Sequence, residues 1–204
     1  SIITSGKDLR LGTVFGVKKF KINRDLIIRG SSRLIHAEFV LKNSSKLTFD
    51  DDIFIDNSRK QKSLYPSITT VRAYDNSSVI LKGNSLIKSE YGYGKNSVAV
   101  ALIGDNSEAI FKSSSEQWCE NGVVYSENST SKVSVFSGKI SSRARYYAIE
   151  SCGEVIVNGG RVKNICINKG GKLYLNDGII GSSDNHGTFI PIRLNGKAYI
   201  MGGQ

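Results

Sequence analysis

Three phrases, Gly153-Glu-Val-Ile-Val-Asn-Gly-Gly-Arg-Val162, Gly171-Lys-Leu-Tyr-Leu-Asn-Asp-Gly-Ile-Ile180 and Gly196-Lys-Ala-Tyr-Ile-Met-Gly-Gly203, are near-copies of one another. Each opens on a turn glycine and a charged residue, continues apolar-x-apolar, and closes on a Gly-containing turn. Alternation at period two with Gly or Asn punctuation is the mark of a short half-buried strand. Repetition of one strand-and-turn unit means stacked layers, each burying its apolar face against the next. The expected fold is therefore all-β: a single-stranded parallel β-helix (β-solenoid), right-handed, of about 7–9 coils.

Working outward, the same apolar-x-apolar element starts at Leu47, Val79, Ala109, Val133, Val155, Leu173 and Ala198, at intervals of 18 to 32 residues. A coil needs about that many residues, with any surplus placed in loops. The drift excludes a fixed-period hexapeptide helix and a calcium-binding array of the RTX kind. Further strands are expected at Ile68–Val71, Val98–Ile103, Gly122–Tyr125, Tyr147–Ile149, Ile165–Ile167 and Phe189–Leu194. Small polar turns follow them. Asn and Gly there accept the left-handed backbone of a sharp corner, and stacked Asn side chains can bond one another along the axis. Sequons at Asn43, Asn76 and Asn128 read better as corners than as glycan acceptors. Residues 1–33 are irregular and read as an N-terminal cap or first coil; 34–204 read as the β-helix. The last copy breaks off at Gly202-Gly-Gln204, and numbering begins at Ser1, so a longer parent or an oligomer is expected.

The composition narrows the classes. Apolar residues are 39% of 204, and Gly with Ser and Asn indicates turns rather than disorder. No run is long enough for a transmembrane helix, and no signal-peptide core opens the chain. The net charge of +10 suits an anionic surface. Its Lys and Arg are spread along the chain rather than clustered on one arm, so no nucleic-acid partner is expected. Cys119, Cys152 and Cys166 have no zinc-ligand spacing, so neither a metal nor a cofactor is expected. They read as unpaired thiols packed between layers, with Cys166 opposed to its flanking isoleucines.

A solenoid shows its chemistry on side chains and inserted loops, here Asp50–Pro66, Ser89–Asn96 and Ser182–Thr188. Asp50 and Asp52 would share a face in a strand, and with Glu90 they are the candidate catalytic acids of a glycoside hydrolase. Tyr91 and Tyr93 sit in a Gly-rich loop, Trp118 is the only tryptophan, and Arg143-Ala-Arg145-Tyr-Tyr147 is a basic aromatic edge that offers Arg143, Arg145 and Tyr146. Flat rings stack on sugar faces, and guanidinium groups bind carboxylates. These six are the candidate ligand contacts. His36 lies in an alternating stretch and His186 beside Asp184, without a nucleophile motif.

Val157-Asn-Gly-Gly-Arg-Val162 and Asn168-Lys-Gly-Gly-Lys-Leu-Tyr-Leu175 resemble the Gly-Gly-punctuated β-solenoids of bacterial surface adhesins and autotransporter passengers. The middle of the chain is similar to the irregular β-helices of phage tailspikes. The resemblance spans about residues 34–204, rests on repeats of low specificity, and carries over no active-site residue. It implies an extracellular, cell-surface or virion setting, and a homotrimer or other oligomer on the tailspike comparison. The expected function is a non-catalytic module for adhesion or recognition of a surface polysaccharide or glycan. The alternatives are a polysaccharide depolymerase, hydrolase or lyase, and a structural spacer of a longer fibre.

Overall fold

The computed structural model describes residues 1–13, 16–58, 69–89, 98–143, 146–181 and 190–204. Within them the chain is strand and turn. It opens with β1 (Ile2–Arg10) and β2 (Lys18–Ile22), then β3 (Leu26–Ile35) and β4 (Ala37–Leu41). Four three-strand circuits follow. The first two hold β5 (Lys46–Phe49), β6 (Phe54–Asp56), β7 (Val71–Ala73), β8 (Ser78–Leu81), β9 (Leu86–Ser89) and β10 (Val100–Leu102). The next two hold β11 (Glu108–Phe111), β12 (Glu116–Cys119), β13 (Val124–Ser126), β14 (Lys132–Val135), β15 (Lys139–Ser142) and β16 (Ile149–Ser151). The chain ends with β17 (Glu154–Val162), β18 (Ile165–Ile167), β19 (Lys172–Ile180), β20 (Ile192–Leu194) and β21 (Lys197–Ile200). Among the described residues no helix is long and apolar enough to cross a membrane.

Every named strand pairing is parallel and joins one circuit to the next, so the stacking is solenoid-like. Alternation then sends like residues to the same place in each layer. Leu47, Val79, Ala109, Val133, Val155 and Leu173 lie side by side in register, and all are fully buried. Phe49, Leu81, Phe111, Val135, Val157 and Leu175 form a second interior file. Burying each large side chain contributes about 1.5–3 kcal/mol, so the interior files supply most of the driving force.

The expectation of an open, single-stranded parallel β-helix of 7–9 coils is corrected by the pairing of the longest strands. In β3, Leu26–Ile28 pair with β5 while Arg33–Ile35 pair with β6. In β17, Glu154–Val157 pair with β14 while Arg161 and Val162 pair with β15. Ten strands of the first sheet, β3, β5, β8, β11, β14, β17, β15, β12, β9 and β6, thereby close into a parallel barrel round one axis. Strands β1, β19 and β21 extend this barrel, and β2, β4, β7, β10, β13, β16, β18 and β20 form a second, eight-stranded sheet. The physical reason lies in the Asn-Gly-Gly phrase. Read as a turn, it would end one strand; in the structure Asn158–Arg161 stay in β17 as an irregularity of the pairing with β19. Glycine permits a bend without breaking the ladder.

Corners follow the expected chemistry. Asn43, Asn76 and Asn106 have φ of 57°, 56° and 52°. The Asn106 side-chain amide donates to Asn76 Oδ1 at 3.2 Å, and that of Asn176 donates to Asn158 Oδ1 at 2.7 Å. His36 is different from its reading. It breaks the expected Leu34–Leu41 strand with φ 58° and turns the chain from the first sheet to the second. At the bend, Gly160 and Gly178 have φ of 73° and 94°. A Cβ on Gly178 would stand 2.8 Å from the Gly160 carbonyl oxygen.

Gly178→Val is therefore expected to cost about 2–4 kcal/mol, from a left-handed backbone plus collision with the layer below. Gly16→Ala, where a Cβ meets nothing within 4 Å, should stay within about 0.5 kcal/mol of the parent. Urea denaturation of both variants measures the contrast, and equal losses would contradict the stacked-corner account.

Candidate functional site

The second sheet is built from very short strands of one pattern. Val71-Arg-Ala73, Val100-Ala-Leu102, Val124-Tyr-Ser126, Ile149-Glu-Ser151, Ile165-Cys-Ile167 and Ile192-Arg-Leu194 each flank a central residue with two neighbours on the opposite face. Outer neighbours such as Val71, Ala73, Ile149, Ser151, Ile165 and Ile167 are fully buried. The central residues share the other face. Register places Arg72, Ala101, Tyr125, Glu150, Cys166 and Arg193 in one file along the axis.

A cleft of about 410 Å³ lies over the second half of this file. Tyr125, Glu150, Cys166 and Arg193 line it from the strands. Asn168 and Asn195, which follow β18 and β20, bound it at the strands' C-terminal ends. Val98, Asn121, Tyr146 and Tyr147 precede their strands and bound it at the opposite ends. The Asn168 amide donates to Glu150 Oε1 at 3.3 Å, and the Cys166 thiol donates to Asn168 Oδ1 at 3.5 Å. Among the described residues, the hydroxyls of Tyr125, Tyr146 and Tyr147, the Arg193 guanidinium and the Asn195 amide make no hydrogen bond.

Burial pushes the Tyr125 phenol above its ordinary value, and the neighbouring Glu127, Glu150 and Cys152 push the same way. It is a neutral donor at physiological pH. Burial likewise raises the Cys166 thiol, with Glu150 and Cys152 adding to the effect and Arg193 opposing it. Both groups are thus poor bases or nucleophiles. What remains is three phenol rings, amides, a carboxylate and a guanidinium facing one cavity. That set can stack on apolar faces and exchange hydrogen bonds with hydroxyls.

The sequence candidates fall in several places. Tyr146 lines the cleft. Arg143 is outside it, its Nη1 2.5 Å from Glu120 Oε1. Trp118 is half-buried on β12 of the first sheet, in register between Lys88 and Ser141. Asp50 and Asp52 lie in the turn after β5. Asp50 accepts from the Asp51 amide at 3.0 Å, and Asp52 accepts from the Asn84 side chain at 2.8 Å, so both secure the corner. Glu90, Tyr91, Tyr93, Arg145 and His186 lie outside the described residues. Tyr147, which closes the basic aromatic edge Arg143–Tyr147, also lines the cleft; sequence reading missed Tyr125, Glu150, Asn168, Arg193 and Asn195. The signal was present in the central residue of each short strand, once those strands are aligned with one another.

Elsewhere, all three cysteines are free. Cys152 stands diagonal to Cys166, which pairs in register with Glu150. Diagonal neighbours sit farther apart than a disulfide allows. Among the described residues no three His, Cys, Asp or Glu side chains gather to hold a metal. Asp56 is buried in the same file as Lys88 and Trp118 and paired with Arg33. Burial alone would raise its carboxyl, but the Arg33 hydrogen bond, the Ser58 bonds and the Arg33 charge outweigh that and hold it low.

No family model, curated protein or solved structure matches this chain. Of the resemblance to adhesin, autotransporter and tailspike β-helices, the parallel, solenoid-like layering stands; the closed barrel replaces their open coil, and no match supports those families. The repeats that suggested those proteins are what parallel stacking itself requires.

Two measurements test the electrostatics. The Asp56 carboxyl is lower in the folded chain than its unfolded value of about 3.9. Its stabilisation is therefore present above that pH and fades as pH falls through the folded value. Asp56→Asn should be less stable than the parent near pH 7, by about 1–3 kcal/mol in urea denaturation, with the gap narrowing as the solution is acidified below the unfolded value. The Cys119 thiol, fully buried and pushed up to about 12, should resist iodoacetamide at pH 8 until the protein is unfolded. Rapid alkylation of Cys119 in the native state would contradict its placement.

Proposed function

We propose that this chain is a non-catalytic glycan-recognition module acting outside the cell, with the cleft on the second sheet as its binding site. One observation carries the reading: the cleft gathers three tyrosines, three asparagines, a carboxylate and an arginine. Sugar rings present apolar faces to aromatic rings and hydroxyls to amides and carboxylates. Such a mixture is what a polyhydroxylated ligand requires, and a purely structural wall does not need it.

The depolymerase alternative is less well supported. Hydrolysis of a glycosidic bond uses two carboxyl groups about 5–9.5 Å apart. Glu150 is the only carboxylate among the described residues lining the cleft. A lyase needs a base near a neutralised uronate, and Tyr125 is raised rather than activated. The binding reading uses the same groups without asking either to transfer a proton.

Tyr147→Ala is expected to weaken glycan binding by about tenfold or more, from loss of one stacking ring. Trp118→Ala, on the other sheet, should leave affinity unchanged. A glycan array followed by calorimetry on the strongest binder provides the comparison. A blank array for the parent chain would favour a structural spacer, and release of reducing ends or unsaturated uronates from capsular polysaccharides would favour the enzyme.

A further inference from the structure

The cleft carries two opposite charges at a defined separation. Arg193 on β20 and Glu150 on β16 both stand directly beside Cys166 on β18, one on each side. Two strand spacings, about 9–10 Å, therefore separate their backbones, and no ion pair joins them. The Arg193 guanidinium has no carboxylate partner among the described residues. Beyond Glu150, the file continues to the free hydroxyl of Tyr125. Along the axis, the cleft thus presents a cation, then Cys166 and Asn168, then a carboxylate, then a phenol. One strand spacing, about 4.8 Å, is close to the advance of one pyranose along an extended glycan. Successive sugars can therefore face successive strands.

We propose that the cleft receives the end of a neutral oligosaccharide capped by a single carboxylated sugar. This rests on the glycan reading above and adds the ligand class and its direction. The cap's carboxylate takes the Arg193 guanidinium, whose planar fork matches it with two parallel hydrogen bonds. The next two sugars give hydroxyl protons to Glu150 and accept them from Asn168 and Tyr125. Glu150 accounts for the discrimination. A second carboxylate two sugars along would meet it with like charge, so an unbroken polyuronate is disfavoured. The net charge of +10 draws an anionic cap towards the protein from a distance without choosing the orientation.

The test uses trisaccharides capped by sialic, glucuronic or galacturonic acid, their carboxyl-reduced counterparts, and linear tri-galacturonate, titrated calorimetrically into the 204-residue chain. At least one capped trisaccharide should bind, and reducing its carboxyl should weaken it by about tenfold. Arg193→Gln should abolish that preference while leaving the reduced sugar's affinity in place. Glu150→Gln should improve binding of tri-galacturonate. Equal binding of acidic and reduced forms, or a preference that survives Arg193→Gln, overturns the acidic-cap assignment while the glycan reading stands. Failure of the parent chain to bind any of these sugars or any array glycan overturns the glycan reading itself.

Discussion

In-register pairing of parallel strands is the constraint on which the rest of this structure depends. Each backbone amide and carbonyl in a circuit finds its partner in the circuit before or after it, so a residue's neighbours along the axis are its counterparts, not its sequence neighbours. Leu47, Val79 and Ala109 pack together because they occupy equivalent positions, 30 or more residues apart. The same rule makes polar files. Ser45, Ser77, Ser107 and Ser131 recur at one buried corner, where each carbonyl accepts from the strand that opens the next circuit.

Stacking also governs the corners. Space between layers is about 4.8 Å, which leaves no room for a Cβ directed at the layer below. Gly138, Gly160, Gly178 and Gly203 meet this limit at one corner of four consecutive layers. Where the strand bends without ending, as in β3 and β17, the ladder passes from one side of the barrel to the other and closes it. On the second sheet, the central residues Tyr125, Glu150 and Arg193 of the short strands border the cleft rather than the interior. The short strands there hold one outward side chain each, so a row of single substitutions can write a binding surface without disturbing the interior.

The cleft is consistent with that freedom. Acids on the first sheet and at the corners are engaged: Asp56 with Arg33, Glu116 with Lys139, Asp52 with Asn84. In the cleft, by contrast, phenols and a guanidinium face the cavity with no hydrogen bond among the described residues. Polar groups that the fold does not use are available to a ligand. Groups that the fold does use, such as Asp50 and Asp52, are poor candidates for chemistry however suggestive their spacing.

The repeats by themselves determined the all-β class, the parallel layering, the interior files and the Asn and Gly corners, because period-two alternation and left-handed turns are local properties of the chain. They could not determine closure. Val157-Asn-Gly-Gly-Arg-Val162 has the composition of a turn, and only the pairing of both its ends with different strands makes it one continuous bend. The binding cleft was equally hidden. Tyr125, Glu150, Cys166 and Arg193 are separated by 16 to 27 residues, with no motif to join them. Their adjacency is created by register, a long-range hydrogen-bonding choice that depends on how each loop returns its strand to the sheet.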